Sequence, residues 1–253
     1  MRLFGRAGPP ATPPRVDRWQ VLPDPPGKFS SGIAGLDALL GGGYPLGSVN
    51  LFEGDGTTGP EDFWRPVLPA LLNFLSHGRG ALLLPPSSLP ARRHYERLAA
   101  FVPVPLLESR VRIVDYATLS SEGPWHVPMA ELARVRAVRA MVQAEFAIRG
   151  TPPAPFLEAT ALESLESGVG PDAAVRIFSY GFRRVREVGN LSVVWSRPGL
   201  RGASSAAGMS DTHLALGRNA SGPTLRGIRP PFDARQLLWD ESGPLRADLT
   251  LPG

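Results

Sequence analysis

The chain contains no cysteine, which excludes disulfides and thiolate metal sites. It is almost without lysine: Lys28 is the only one, and arginine supplies the rest of the 27 basic residues that face 23 acidic ones. The resulting charge of +4 permits nucleic-acid contact without requiring it. No apolar run approaches the roughly 20 residues of a membrane span, so no membrane partner is expected. The opening "MRLFGRAGPPATPPR" lacks the apolar stretch of a secretory signal, and the cytoplasm is the expected location. Histidine is scarce. His77, His94, His126 and His213 are scattered, no pair has ligand spacing, and no metal site is expected. There is no G-x-S-x-G elbow, and the sequence assigns no catalytic residue.

What is present fits a globular protein. A length of 253 residues, 43% of them hydrophobic, suffices for a sizeable core. Residues 1–27 hold Pro9, Pro10, Pro13, Pro14, Pro23, Pro25 and Pro26 and read as an extended or disordered arm. Trp19 and Leu22 in that arm have the character of docking residues, on this chain or on a neighbour. From Lys28 onward strands and helices alternate. "SSGIAGLDALLGGG" reads as a short capped helix with a glycine stop. "SVNLFE" (48–53), "GALLLP" (80–85), "VRIVDYA" (111–117), "APFLEAT" (154–160) and "LSVVWS" (191–196) read as strands. Helices are expected from about Pro66, over "LPARRHYERLAAFV", over "PMAELARVRAVRAMVQAEFAIRG" with Met129, Leu132, Val135, Val142 and Phe146 at helical spacing, and over "PDAAVRIFSYGFRRVREVG". After Gly208 short strands follow one another. This order predicts an α/β fold in three layers: a mostly parallel central sheet with antiparallel additions toward the C-terminus.

The segment "FSSGIAGLDALLGGGYPLGSVNLFEGDGTTG" resembles the opening of the KaiC/RadA branch of RecA-fold ATPases. Ser31, Gly32, Ile33, Leu36, Asp37, Leu39, Leu40, Gly41, Gly42, Gly43 and Gly47 match that opening, and Gly54 and Gly59 match its phosphate-binding loop. The phrases "SDTHLAL" and "RGIRPPFDARQLLWDESG" are similar to late strands of the same domains. The resemblance implies a RecA-like domain over residues 28–253 and RecA-fold oligomer partners, of this chain or of another.

The loop departs from the pattern where chemistry matters. A phosphate loop surrounds its ligand with backbone N–H groups, neutralises it with lysine and holds Mg²⁺ with a hydroxyl. Here the degenerate cofactor position comprises Gly54, Gly56, Gly59, Pro60 and Glu61, with Pro60 in place of the lysine and Glu61 in place of the hydroxyl. Thr57 replaces a glycine, and Pro60 removes a donor. Asp62, Asp55 and Glu53 add negative charge. A carboxylate at a helix start already satisfies the dipole that phosphate would use. The expected cofactor is none, with ATP and Mg²⁺ as the alternative.

Other positions follow from the resemblance or from element order. Glu158 stands where a Walker B acid would. Ser196 and Arg197 end the strand that would sense a γ-phosphate. Arg226 and Arg229 lie on a strand that, in KaiC-like ATPases, sends basic residues to a neighbour's nucleotide. They are the partner-facing candidates, with a register ambiguous by three residues. Arg65 is the nearest cation available to replace the lysine. "RRHYER" (92–97) mixes cations and aromatics, so nucleic acid stays open as a partner. Arg134, Arg136, Arg139 and Arg149 read as the solvated face of a long helix.

The leading expectation is a non-catalytic RecA-fold subunit, a scaffold, adaptor or regulator beside an ATPase paralogue. Elongator RecA-like subunits and ImuA-like proteins show similar departures. The alternatives are an ATP-binding protein with an atypical loop and a nucleic-acid-binding module.

Overall fold

The computed structural model describes residues 16, 18–130, 134–149, 153–240 and 245–251. The arm prolines Pro9, Pro10, Pro13 and Pro14 and the helix position Leu132 lie outside them, as does the side chain of Val135. In chain order the elements are β1 (Lys28–Phe29), α1 (Ala34–Leu39), β2 (Tyr44–Pro45), β3 (Val49–Gly54), a 3₁₀ turn (Pro60–Phe63), α2 (Trp64–Ser76), β4 (Ala81–Leu84), α3 (Ala91–Ala99) and α4 (Val104–Arg110). There follow β5 (Val111–Asp115), β6 (His126–Pro128), α5 (Arg134–Arg149), β7 (Leu157–Ala161), α6 (Leu162–Val169), α7 (Pro171–Val188), β8 (Leu191–Ser196) and α8 (Ala203–Met209). The chain closes with β9 (Thr212–Asn219), β10 (Gly222–Arg229), β11 (Pro231–Asp240) and β12 (Arg246–Thr250).

Among the described residues ten strands form one sheet, in the order β12-β11-β10-β9-β3-β8-β7-β4-β5-β6. From β9 through β6 every neighbouring pair is parallel. The pairs β9–β10, β10–β11 and β11–β12 are antiparallel. This is the expected three-layer α/β architecture. Helices cover both faces, so the central strands are largely apolar on both. In β8 Leu191, Val193 and Trp195 join the core under α2 and α3, whereas Val194 joins the core under α5, α6 and α7. No helix among the described residues is long and apolar enough to cross a membrane.

Three local outcomes differ from the expectations. The first core helix starts at Trp64 rather than near Pro66. Pro66 then falls in the first turn, where an N–H would lack an intrahelical partner anyway. Of the helix expected from Pro128, Arg134–Arg149 is described as helical, and Pro128 itself ends β6 at the sheet edge instead. Phe146, assigned to the apolar face of that helix, is 74% exposed; the buried positions nearby are Ala144, Glu145 and Ile148.

The later part of the proline-rich arm lies against this chain. Trp19 is buried, bridges to Leu245 and packs on Trp239 with ring centroids 6.3 Å apart. The Asn73 side chain accepts the Leu22 N–H at 2.9 Å and donates to the Leu22 carbonyl at 3.1 Å. Arg79 pairs with Asp24 at 2.5 Å. Packing therefore begins before residue 28.

Candidate functional site

β3 runs through the middle of the sheet, and Gly54 ends it at the loop that resembles a phosphate cradle. That loop closes on its own oxygens. The Thr57 N–H and hydroxyl both donate to Asp55 Oδ1, at 2.7 and 2.5 Å. Thr58 donates its N–H (3.2 Å) and its hydroxyl (2.8 Å) to the Asp55 carbonyl. The Gly59 N–H donates to Asp62 Oδ2 at 2.9 Å. Pro60 has no N–H to give. Three successive amides that a phosphate loop offers to its ligand are thus bonded within the loop. The cause is local. Aspartate favours a turn that accepts from the amide two residues on. A glycine, a first-turn proline and an acid three residues later make the acidic half of a capping box, here Gly59, Pro60 and Asp62.

Asp62 is the centre of the site. It is 1% exposed, and its Oδ1 accepts from Arg65 Nε at 2.5 Å and from Arg218 Nη2 at 2.8 Å. Burial alone would raise its pKa. Hydrogen bonds from Arg65 and Gly59, and the charges of Arg65 and Arg218, outweigh that and hold the carboxyl below its ordinary value. A third guanidinium, Arg97 of α3, lies 5.9 Å from the Trp64 ring centroid. Burial, then the Arg65 charge, lowers its pKa, while Glu61 and Asp62 oppose the shift. The exposed Glu61 folds its carboxyl group against Gly59. Two arginines thus pair with a buried carboxylate rather than with an external anion, and the Arg97 charge is felt beside them.

The structure places the other candidates as follows. Gly56 sits at the loop tip with open space around it. Arg65 does turn toward the loop, but Asp62 engages it. Arg229 donates to the Ser210 carbonyl at 2.7 Å, just past the end of α8, and so serves its own chain. Arg226 is exposed, and no hydrogen bond or ion pair engages its side chain among the described residues. Arg197 pairs with Glu163 at 2.5 Å. Tyr95 of "RRHYER" is stacked on Trp125 with centroids 4.4 Å apart, so its ring is already covered. Glu158 does not occupy a Walker B position. It pairs in register with Ser192, which pairs with Val49. That row lies four residues before Glu53 on β3, about 13 Å short of the loop at a strand's usual rise.

Two residues escaped the sequence reading. Arg218 reaches Asp62 because β9 lies beside β3 and runs parallel to it. Arg97 arrives on a helix more than thirty positions downstream. Nothing in either local sequence signals the loop; only strand and helix placement does.

The glycine-rich opening motif has a structural use independent of phosphate. Asp37 accepts the Ser30 hydroxyl at 2.5 Å and the Ser31 N–H at 2.8 Å. Its carbonyl accepts the Gly42 and Gly43 N–H groups at 2.6 and 3.1 Å. Gly32, at φ +76°, packs directly on the Pro69 carbonyl of α2, where any side chain would collide. Asp37→Ala leaves the buried Ser30 hydroxyl and Ser31 amide without an acceptor. We expect a loss of about 2–3 kcal/mol, read as a lower urea midpoint, with Asp37→Asn losing less.

The crystal structure of a KaiC-like protein from the hyperthermophilic archaeon Pyrococcus horikoshii OT3 matches with a TM-score of 0.61 at 15% identity, over 88% of this chain and 98% of that one. The protein therefore has the RecA-like fold, in the form seen in KaiC-like proteins, as its opening motif implied. Proteins GvpD2 and GvpD1 of Halobacterium salinarum are 39% and 40% identical over 69 and 72 residues. Each match spans 27% of this chain but only 14% and 13% of the length of those relatives. No protein-family model matches the chain.

Proposed function

We propose that this protein is a non-catalytic RecA-fold subunit: a scaffold, adaptor or regulator in an assembly of RecA-fold proteins. The observation that carries the reading is the occupation of the phosphate cradle by Asp62. Its carboxylate takes the Gly59 amide and two arginines, which are the donors a triphosphate would need. An incoming phosphate would have to displace a buried, triply bonded carboxylate and sit beside Glu61. At an effective dielectric near 20, each such repulsion at roughly 4–6 Å costs several kcal/mol. The opening motif, by contrast, retains the hydrogen bonds that build the frame. Frame without cradle is what a subunit kept for its surfaces would show. Arg226 supports the partner-facing half of the reading, since it stands unengaged on a strand whose Arg229 is committed to its own chain.

Titration of the full chain with a fluorescent ATP analogue and Mg²⁺ is the test. The expected result is no saturable binding up to about 1 mM, a free energy weaker than roughly 4 kcal/mol. Micromolar binding that falls when Arg65 or Arg218 is replaced would establish the ATP-binding alternative instead. Sedimentation of the same sample, alone and with a RecA-fold ATPase from the same source, tests the assembly.

A further inference from the structure

On the sheet face opposite α2, between β4, β5, β7, β8 and the helices α5, α6 and α7, lies a cavity of about 860 Å³. That is within the usual range for small-molecule sites. Its walls are apolar, with Leu82, Met141, Leu165, Phe178 and Phe182 among them. Its floor is not. Strands covered on both faces should be apolar on both, yet Glu158, Thr160 and Ser192 all face this cavity. Glu158 and Ser192 are cross-strand partners, and Thr160 is the next residue on the same face of β7. The strand's other side, with Leu157, Ala159 and Ala161, belongs to the opposite core.

We propose that this cavity binds a small organic amine, with a primary ammonium head on Glu158 and on the hydroxyl of either Ser192 or Thr160, and an apolar body along the walls. Ser192 stands one strand separation, about 5 Å, from Glu158, and Thr160 one two-residue step, about 7 Å, from it; the two hydroxyls are diagonal neighbours about 8 Å apart, so the head bonds Glu158 and one hydroxyl at a time. An ammonium carries three donors. Glu158 is half-buried and lines the cavity. One oxygen accepts from Asn190 at 3.3 Å, and among the described residues no arginine is hydrogen-bonded to it. Arg184 is engaged by Glu145, the guanidinium of Arg149 lies over the Phe156 ring, and Arg176 is exposed at the mouth. Among the described residues that line the cavity, the cations are Arg176 and Arg184, and neither is on the floor. Burial, then the Glu145 charge, pushes Glu158 up to about 7, with Asn190, Arg184 and Arg149 only partly opposing the shift, so a cation brought by a ligand would favour its ionised form. The assignment is independent of the loop at Gly54 and of the proposed subunit role.

The test is isothermal titration of the full chain at about pH 8 with hexylammonium chloride and, separately, hexanol, which has the same apolar body and no charge. The expected result is one-to-one binding of the amine, with hexanol at least about tenfold weaker. Glu158→Gln should weaken the amine by a similar factor and leave hexanol unchanged. Gly181→Leu is the second variant. Gly181 lines the cavity with open space at its Cα, and a helix-interior glycine replaced by leucine gains helix propensity, so this variant should fold and should block the site. No amine heat up to about 10 mM, equal binding of hexanol, or undiminished binding by Gly181→Leu would each overturn the proposal.

Discussion

Replacing Asp62 with alanine is expected to turn the loop into an anion site while weakening the fold. In the native chain the carboxylate satisfies the Gly59 amide, Arg65 and Arg218. Without it, a backbone N–H and two guanidinium groups point at an emptied position, with Arg97 nearby. Inorganic phosphate can then take the place of the lost carboxylate. Charge-assisted hydrogen bonds of this kind are worth about 1.5–3 kcal/mol each in place. The arginines are 26% and 38% exposed, so solvent screens their loss, and a net cost of about 2–4 kcal/mol is expected. For a domain of this size that lowers Tm by roughly 4–16 °C. Phosphate should restore part of it: a site of about 1 mM affinity gains about 2.7 kcal/mol at a hundredfold excess. Thermal unfolding with and without about 0.1 M phosphate decides the matter, at constant ionic strength set with chloride. The native chain should respond little and the variant clearly. Equal responses would show that Asp62 is not standing in for the anion. The pH dependence has a matching sign. The Asp62 pKa is depressed on folding, so its contribution is present above the ordinary carboxylate range and is lost as pH falls through the depressed value.

The second large effect has the opposite sign. Glu158→Gln should stabilise the protein at alkaline pH and do little in acid. The Glu158 pKa rises from 4.5 to about 7 on folding, first through burial and then through Glu145, with Asn190, Arg184 and Arg149 pulling it down. Below about pH 4.5 the group is protonated in both states. As pH rises toward 7 the unfolded chain ionises while the folded one holds its proton, so stability falls. Above that the loss levels off near roughly 3 kcal/mol, from about 1.36 kcal/mol per pKa unit. Discounted for solvent screening, a gain of roughly 2–3 kcal/mol for the glutamine variant is expected near pH 8. Urea unfolding at about pH 5 and pH 8 measures it. Parallel pH profiles for the two proteins would mean that Glu158 ionises freely in the folded state. Glu145, also raised by burial, adds slope of the same sign in both proteins.

The legible parts of this protein are those governed by neighbours in the chain. The helix of "PDAAVRIFSYGFRRVREVG" runs where its apolar spacing and its glycine stop place it, with Gly189 in the left-handed conformation. The strand "SVNLFE" lies at the middle of the sheet, as a continuously apolar run between turn signals should. The loop acids were visible as reversed charge. Long-range partners were not visible. Phe146 read as core by its spacing, but spacing gives a face and not what lies against it. Glu158 read as a site acid by element order, but order does not give strand register, and the register sets it about 13 Å from the loop.

The sequence by itself determined the alternation of elements, the glycine frame around Asp37 and the substitution of proline and acid for lysine and hydroxyl. All three rest on bonds and charges within about ten residues, where chain connectivity dictates proximity. Only the tertiary structure decided that Asp62 is buried among Arg65, Arg97 and Arg218, and that Glu158, Thr160 and Ser192 share the floor of one cavity. Those groupings depend on which strands pair and how the helices cross them. The burial of the whole core sets that choice, and no local segment encodes it.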